Sequence, residues 1–165
     1  MKLTITPSVM RIEARIPDAT PGVVGRYALN DKQALLTRLR YNRLIDIFTA
    51  LTCYSLQNHL RTSVRGIAQV ETDEIYVGVD KRGVHYVLPV RAEGKTGRIG
   101  VARIERDLAV CKAKFPGLIC RSVAAILIEK KLIALFECEQ TSKGIRVTLE
   151  KHYRLVDPRE VAEEG

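Results

Sequence analysis

QVETDEIYVGVDKRGVHYVLPVRAEGK, residues Gln69–Lys95, is the stretch whose reading decides the fold. Apolar residues dominate Ile75–Val79, the turn signal Asp80-Lys81-Arg82-Gly83 interrupts them, and they resume through Val84–Val90. That pattern predicts a β-hairpin, with Gly83 as the left-handed residue of a short loop. Side chains two apart share a face, so Glu71 and Asp73 fall together on one strand and Arg91, Glu93 and Lys95 on the other. If the turn pairs Asp80 with Val84, Asp73 lies opposite Arg91 and Glu71 opposite Glu93. Carboxylates gathered at the open end of a hairpin repel one another unless a cation or a folded-state partner offsets them.

The 165 residues suffice for one domain with a sizeable core. An apolar fraction of 46% and a charged fraction of 28% are those of an ordinary globular chain. The formal charge of +8 is less ordinary and favours an anionic partner, most often nucleic acid. Cys53, Cys111, Cys120 and Cys138 form no CxxC pair and sit in apolar runs, so they read as buried thiols of a reducing compartment. His59, His85 and His152 are too dispersed for a zinc site. The N-terminus has no secretory h-region and no apolar run approaches a membrane span, which places the chain in the cytoplasm.

Outward from the hairpin, residues 1–29 read as a loosely organised segment with short strands at most. Asn30-Asp31-Lys32-Gln33 has the spacing of a capping box, and an apolar run from Lys32 to Phe48 predicts a helix that bends near Asn42. Leu51, Tyr54 and Leu60 predict a second helix over Ala50–Arg61, ended by Gly66. Lys32, Arg38, Arg40, Arg43, Arg61 and Arg65 make this region basic, either as a solvated face or as a surface for a phosphate backbone. Beyond the hairpin, Val101, Ile104, Leu108, Cys111 and Phe115 recur at helical spacing until Pro116-Gly117. Strands follow over Leu118–Ile128, Leu132–Glu139 and about Ile145–Arg154, then an acidic tail over 157–165. The fold class is α/β: one domain over 30–156, a central mixed sheet flanked by helices.

Asp73 and Glu93-Gly94-Lys95 together suit metal-assisted cleavage of a phosphodiester. Two carboxylates and a backbone carbonyl are hard oxygen donors of the kind Mg²⁺ takes. Lys95, two residues after the second acid, is placed to orient the attacking water and offset developing charge. Glu71 is a candidate for a second ion or for the outer shell of the first.

On Glu71, Asp73 and Glu93-Gly94-Lys95, set on a hairpin and followed by a helix and further strands, the sequence resembles the PD-(D/E)XK nuclease superfamily, the restriction-endonuclease-like fold. The resemblance spans roughly Asn30–Arg154. It implies Mg²⁺-dependent (or Mn²⁺-dependent) hydrolysis of DNA, with Asp73, Glu93 and the Gly94 carbonyl on the metal and Glu71 and Lys95 completing the catalytic set. A homodimer is compatible with it, since many such enzymes pair to cut two strands. Arg91, Arg98, Arg103 and Arg106 are the expected nucleic-acid contacts. No proline precedes Asp73, and in the simple register Glu93 takes the place of the family's lysine; a bulge near Pro89 would restore the pattern. Two alternatives stay open. One is a nuclease-shaped DNA-binding domain without catalysis. The other is a P-loop over Pro89–Thr96, ending in Gly94-Lys95-Thr96, although Pro89 lacks the N–H such a loop uses. His152-Tyr153-Arg154 is a weaker candidate for touching nucleic acid.

Overall fold

The computed structural model describes residues 4–9, 11–27, 30–64, 67–94 and 97–160. Two short strands, β1 (Thr4–Ile5) and β2 (Glu13–Pro17), precede a single turn of helix, α1 (Gly22–Arg26). Helix α2 (Asp31–Tyr41) starts where the capping box predicts, with Asn30 Oδ1 accepting the Gln33 amide at 2.8 Å. It does not bend near Asn42 but stops there. Arg43 takes a left-handed φ of 53° and α3 (Leu44–Thr49) sets off anew. The buried Asn42 side chain bridges this break to the N-terminal segment, accepting from the Ala19 amide at 2.7 Å and donating to Thr20 Oγ1 at 2.9 Å.

The helix predicted over Ala50–Arg61 is instead a 13-residue strand, β3 (Thr52–Val64). Ala50, left-handed with φ 60°, ends α3, and Asp46 Oδ2 accepts the Cys53 amide at 2.9 Å, drawing the chain out into extended conformation. There it pairs antiparallel with β4 (Ile67–Val79), and pairing with a distant strand overrides weak local periodicity. Gly66 lies outside the described residues. The predicted hairpin follows as β4 and β5 (His85–Glu93). Its turn pairs Asp80 with Val84 (N···O 3.1 Å), Asp80 Oδ1 accepts the amides of Arg82 and Val84, and Gly83 has φ 87°. The register runs unbroken from Val79 opposite His85 to Glu74 opposite Val90, straight across Pro89, so no bulge there shifts the pattern.

After β6 (Ile99–Gly100), helix α4 (Val101–Lys114) carries the chain back. The strands β7 (Ile119–Cys120) and β8 (Ser122–Glu129) then run parallel to β5. Strands β9 (Leu132–Thr141) and β10 (Gly144–Val156) add antiparallel neighbours, and β2 joins β10 in parallel. The mixed sheet has the order β2-β10-β9-β8-β5-β4-β3, and β1 pairs separately with β6. Its central strands are covered on both faces, as a parallel crossover requires. Leu35, Leu36 and Leu39 of α2 and Ile45 and Phe48 of α3 pack over Leu88, Val90, Ala92, Val123 and Ala125. On the other face Ile104 and Leu108 of α4 meet Ala124, Ile126 and Phe136, and Cys111 meets Ile75 and Val87. The architecture is mixed α/β, a sheet between helices. Each fully buried leucine or isoleucine here contributes about 1.5–3 kcal/mol. No helix among the described residues is long and apolar enough to cross a membrane.

Candidate functional site

At the open end of the hairpin, side chains take over from backbone pairing. One residue past Glu74, Asp73 Oδ2 accepts the Ala92 amide at 2.9 Å, and the Arg91 guanidinium donates from Nη2 to the Glu71 carbonyl at 2.8 Å. Asp73 is buried, with 3% of its surface exposed. Its other oxygen, Oδ1, lies 3.4 Å from Lys32 Nζ and 3.6 Å from Arg91 Nη1. The same Lys32 ammonium stands 4.0 Å from Glu93 Oε1, and Arg103 Nη1 donates to that oxygen at 3.2 Å. Two carboxylates from adjacent strands therefore share one ammonium delivered by the first turn of α2.

Helix α2 can bring Lys32 there because Gly94 has no side chain. A Cβ on Gly94 would fall 2.8 Å from Asp31 Cβ, too close for the helix start to remain where it is. The Gly94 carbonyl, the expected backbone ligand, accepts the Gly97 amide at 3.3 Å. Lys95 lies outside the described residues. Glu71 pairs across the strands with Arg61, Nε to Oε2 3.4 Å. Arg98, Arg103 and Arg106 are exposed, as nucleic-acid contacts need to be.

Arg91 is not at the surface where the sequence reading puts it. It is buried, donating from Nε to Asp107 Oδ2 at 3.1 Å and from Nη2 to Asp107 Oδ1 at 2.6 Å. Thr72 Oγ1 donates to Asp107 Oδ1 as well, at 3.0 Å. Burial pushes the Asp107 carboxyl above its ordinary range, against the pull of the Arg91 guanidinium. Burial likewise works against the charge on Arg91, and the Asp107 carboxylate more than restores it. Neither Lys32 nor Asp107 figures in the sequence reading of the acid cluster. Asp107 left a signal: three after Ile104 and four before Cys111, it interrupts the apolar stripe of its helix. Lys32 left none, since its role depends on where α2 docks.

Of the span of the P-loop alternative, Pro89–Glu93 run as β-strand, and Lys95 and Thr96 lie outside the described residues. Among the described residues no three His, Cys, Asp or Glu side chains gather to hold a metal ion. A set of two acids with backbone oxygen and water falls below that count yet suits Mg²⁺, which keeps several waters. The donor chemistry of Asp73 and Glu93 fits such an ion, and the Lys32 ammonium between them marks a place for positive charge. The Arg91 guanidinium beside Asp73 weakens that fit by supplying part of the same charge. No protein-family model, curated protein or solved structure matches this chain.

Proposed function

We propose that this chain is a nuclease-like domain that binds DNA at the open end of the β4–β5 hairpin and hydrolyses its phosphodiester bonds with Mg²⁺, for which Mn²⁺ can substitute. The observation that carries this reading is the convergence of Asp73 and Glu93 on one ammonium, that of Lys32. The element order supports it: a helix, an antiparallel pair bearing both acids, a helix and a parallel strand are what the resemblance implies. Asp73 and Glu93 would hold the ion. When bound, Mg²⁺ supplies charge stabilisation at the phosphoryl oxygens and acidifies a ligand water. Lys32 Nζ lies beside both acids, where it orients the attacking water and offsets charge on the phosphoryl group. Arg103 joins Glu93 to the exposed face of α4, along which Arg106 offers a further phosphate contact, with Arg98 just before the helix.

A second reading, DNA binding without cleavage, is favoured by one observation. Asp73 Oδ1 already has two cations within 3.6 Å, one of them the fixed Arg91. Plasmid nicking with Mg²⁺ or Mn²⁺, set against EDTA, separates the two. Hydrolysis predicts nicking that Asp73→Ala abolishes and Lys32→Met lowers by at least about 100-fold. Nicking that survives Asp73→Ala ends the hydrolytic reading. A salt-dependent DNA mobility shift without nicking establishes the second.

A further inference from the structure

Two thiols that the acid site does not use meet where α4 turns back into the sheet. The Phe115 amide ends the helix by donating to the Cys111 carbonyl at 2.8 Å, and the Leu118 amide donates to the Phe115 carbonyl at 3.1 Å. This tight return sets Cys120 of β7 opposite Val87 of β5. Cys111 packs on Val87 from α4, and Cys120 packs against the same cluster, so both thiols lie on one face of the sheet. There the Cys111 thiol donates a hydrogen bond to Cys120. Their surroundings differ. Cys111 is fully buried, whereas Cys120 is partly exposed and lines a cavity of about 260 Å³ together with Lys112 and Arg121. The carboxylates at that cavity, Glu137 and Glu139, are paired with Arg121 and Arg146.

We propose that Cys120 is a site of oxidation by hydroperoxides and that Cys111 resolves the oxidised sulfur to an intramolecular disulfide. The thiolate is the reactive form of a cysteine. The hydrogen bond from Cys111, helped by the Lys112 ammonium, draws the Cys120 thiol below its ordinary range, against burial and the Asp107 carboxylate. The other thiols lack this help: burial pushes Cys138 up to about 12 and raises Cys53 as well. The Cys120 thiolate attacks the terminal oxygen of a hydroperoxide, the S–O bond forming as the O–O bond breaks. The departing alkoxide, its charge offset by Lys112 at the cavity, takes a proton from water and leaves as the alcohol. Cys111 then gives up its proton and attacks the Cys120 sulfur, the S–S bond forming as the S–O bond breaks. The hydroxide that leaves takes up that proton and departs as water. The pair of thiols loses two electrons to the peroxide, and ambient thiols reverse the step under reducing conditions.

The test treats the reduced protein with hydrogen peroxide, blocks the remaining thiols with N-ethylmaleimide and digests the chain with trypsin. Cleavage puts Cys111 in residues 107–112 and Cys120 in residues 115–121, so mass spectrometry resolves the two. The expected product is a disulfide joining these peptides, lost on treatment with dithiothreitol. In Cys111→Ser, peroxide should leave a Cys120 sulfenic acid that dimedone traps; in Cys120→Ser, Cys111 should stay reduced. Without oxidant, wild-type Cys120 should react with N-ethylmaleimide at least about tenfold faster than Cys138, a measurement that needs no variant to fold. Cys120 that stays reduced under peroxide, or is alkylated no faster than Cys138, overturns the site. A disulfide from Cys120 to Cys138 overturns the part given to Cys111. None of these readouts involves DNA or Mg²⁺, so their outcome is independent of the nuclease-like reading.

Discussion

Arg91 of β5 and Asp107 of α4 face each other through two hydrogen bonds, 3.1 Å from Nε and 2.6 Å from Nη2, both side chains buried. This pair ties the strand carrying Glu93 to the helix carrying Arg103, and fixes a guanidinium beside Asp73. The distance from Lys32 to the two acids thus depends on a contact made on the opposite face of the sheet from α2.

Removing one partner should cost far more than removing both. Asp107→Ala leaves a buried guanidinium without its two hydrogen-bonded carboxylate oxygens and with only Asp73, at 3.6 Å, as counter-charge, and we expect a loss of about 3 kcal/mol in urea unfolding. The double change Arg91→Met, Asp107→Leu exchanges the pair for apolar volume and should recover most of that loss. Equal losses in the single and double variants would mean that the pair contributes packing alone. In a DNA mobility shift the double variant should resemble wild type, because Arg91 is too buried to touch a phosphate.

Gly94 is a packing position for α2. In Gly94→Ala the new methyl meets Asp31 Cβ at 2.8 Å, and the first turn of the helix has to move. Overpacking of this kind costs about 1–3 kcal/mol. The displaced Lys32 should also leave Asp73, read as a changed chemical shift of the Lys32 ammonium and, if the domain cleaves DNA, as lowered nicking. A variant as stable as wild type, with Lys32 undisturbed, would show that the helix start is not held by this contact.

The hairpin was legible because its signals are local: Asp80 and Gly83 set the turn, and the turn sets the register down to Glu74. The Asn30 cap and the stripe of α4 were legible for the same reason. Strand β3 was not. Leu51, Tyr54 and Leu60 mimic a helical period, and only the left-handed Ala50 and pairing with β4 draw the segment out. In the site, the meeting of Asp73 with Glu93 followed from strand alternation. Lys32 and Asp107 arrive from helices on opposite faces, and no spacing along the chain encodes that meeting. Arg91, opposite Asp73 as the register requires, is turned inward by Asp107 and so cannot serve as the surface contact its charge suggests.

The Asn30 cap gives a smaller test on the same helix. Asn30 Oδ1 satisfies the Gln33 amide, one of the first unpaired donors of α2. Asn30→Ala should destabilise the protein by about 1 kcal/mol, and Asn30→Asp or Asn30→Ser should retain most of the wild-type value. Urea midpoints of the three variants decide it, and an unchanged Asn30→Ala midpoint would mean the first turn is held by tertiary contacts alone.

Glu74, adjacent to Asp73 on β4, supplies a pH signature that sets it apart from the candidate site. It is fully buried, with Arg40 Nη1 donating to Oε1 at 3.0 Å and Oε2 without a hydrogen-bond partner among the described residues. Burial holds its carboxyl above the ordinary value of 4.5, despite the Arg40 guanidinium. Between the unfolded and the higher folded pKa the folded protein keeps a proton that the unfolded chain has released. Stability from this group is therefore full below about pH 4.5, falls as pH rises through the folded pKa, and is flat above it. Glu74→Gln keeps the hydrogen-bonding shape without the titration, so it should gain on wild type as pH rises from about 4 to about 7. Urea midpoints of the two proteins across that range test the sign. A difference that is constant with pH, or that moves in favour of wild type as pH rises, would show that Arg40 rather than burial governs the carboxyl.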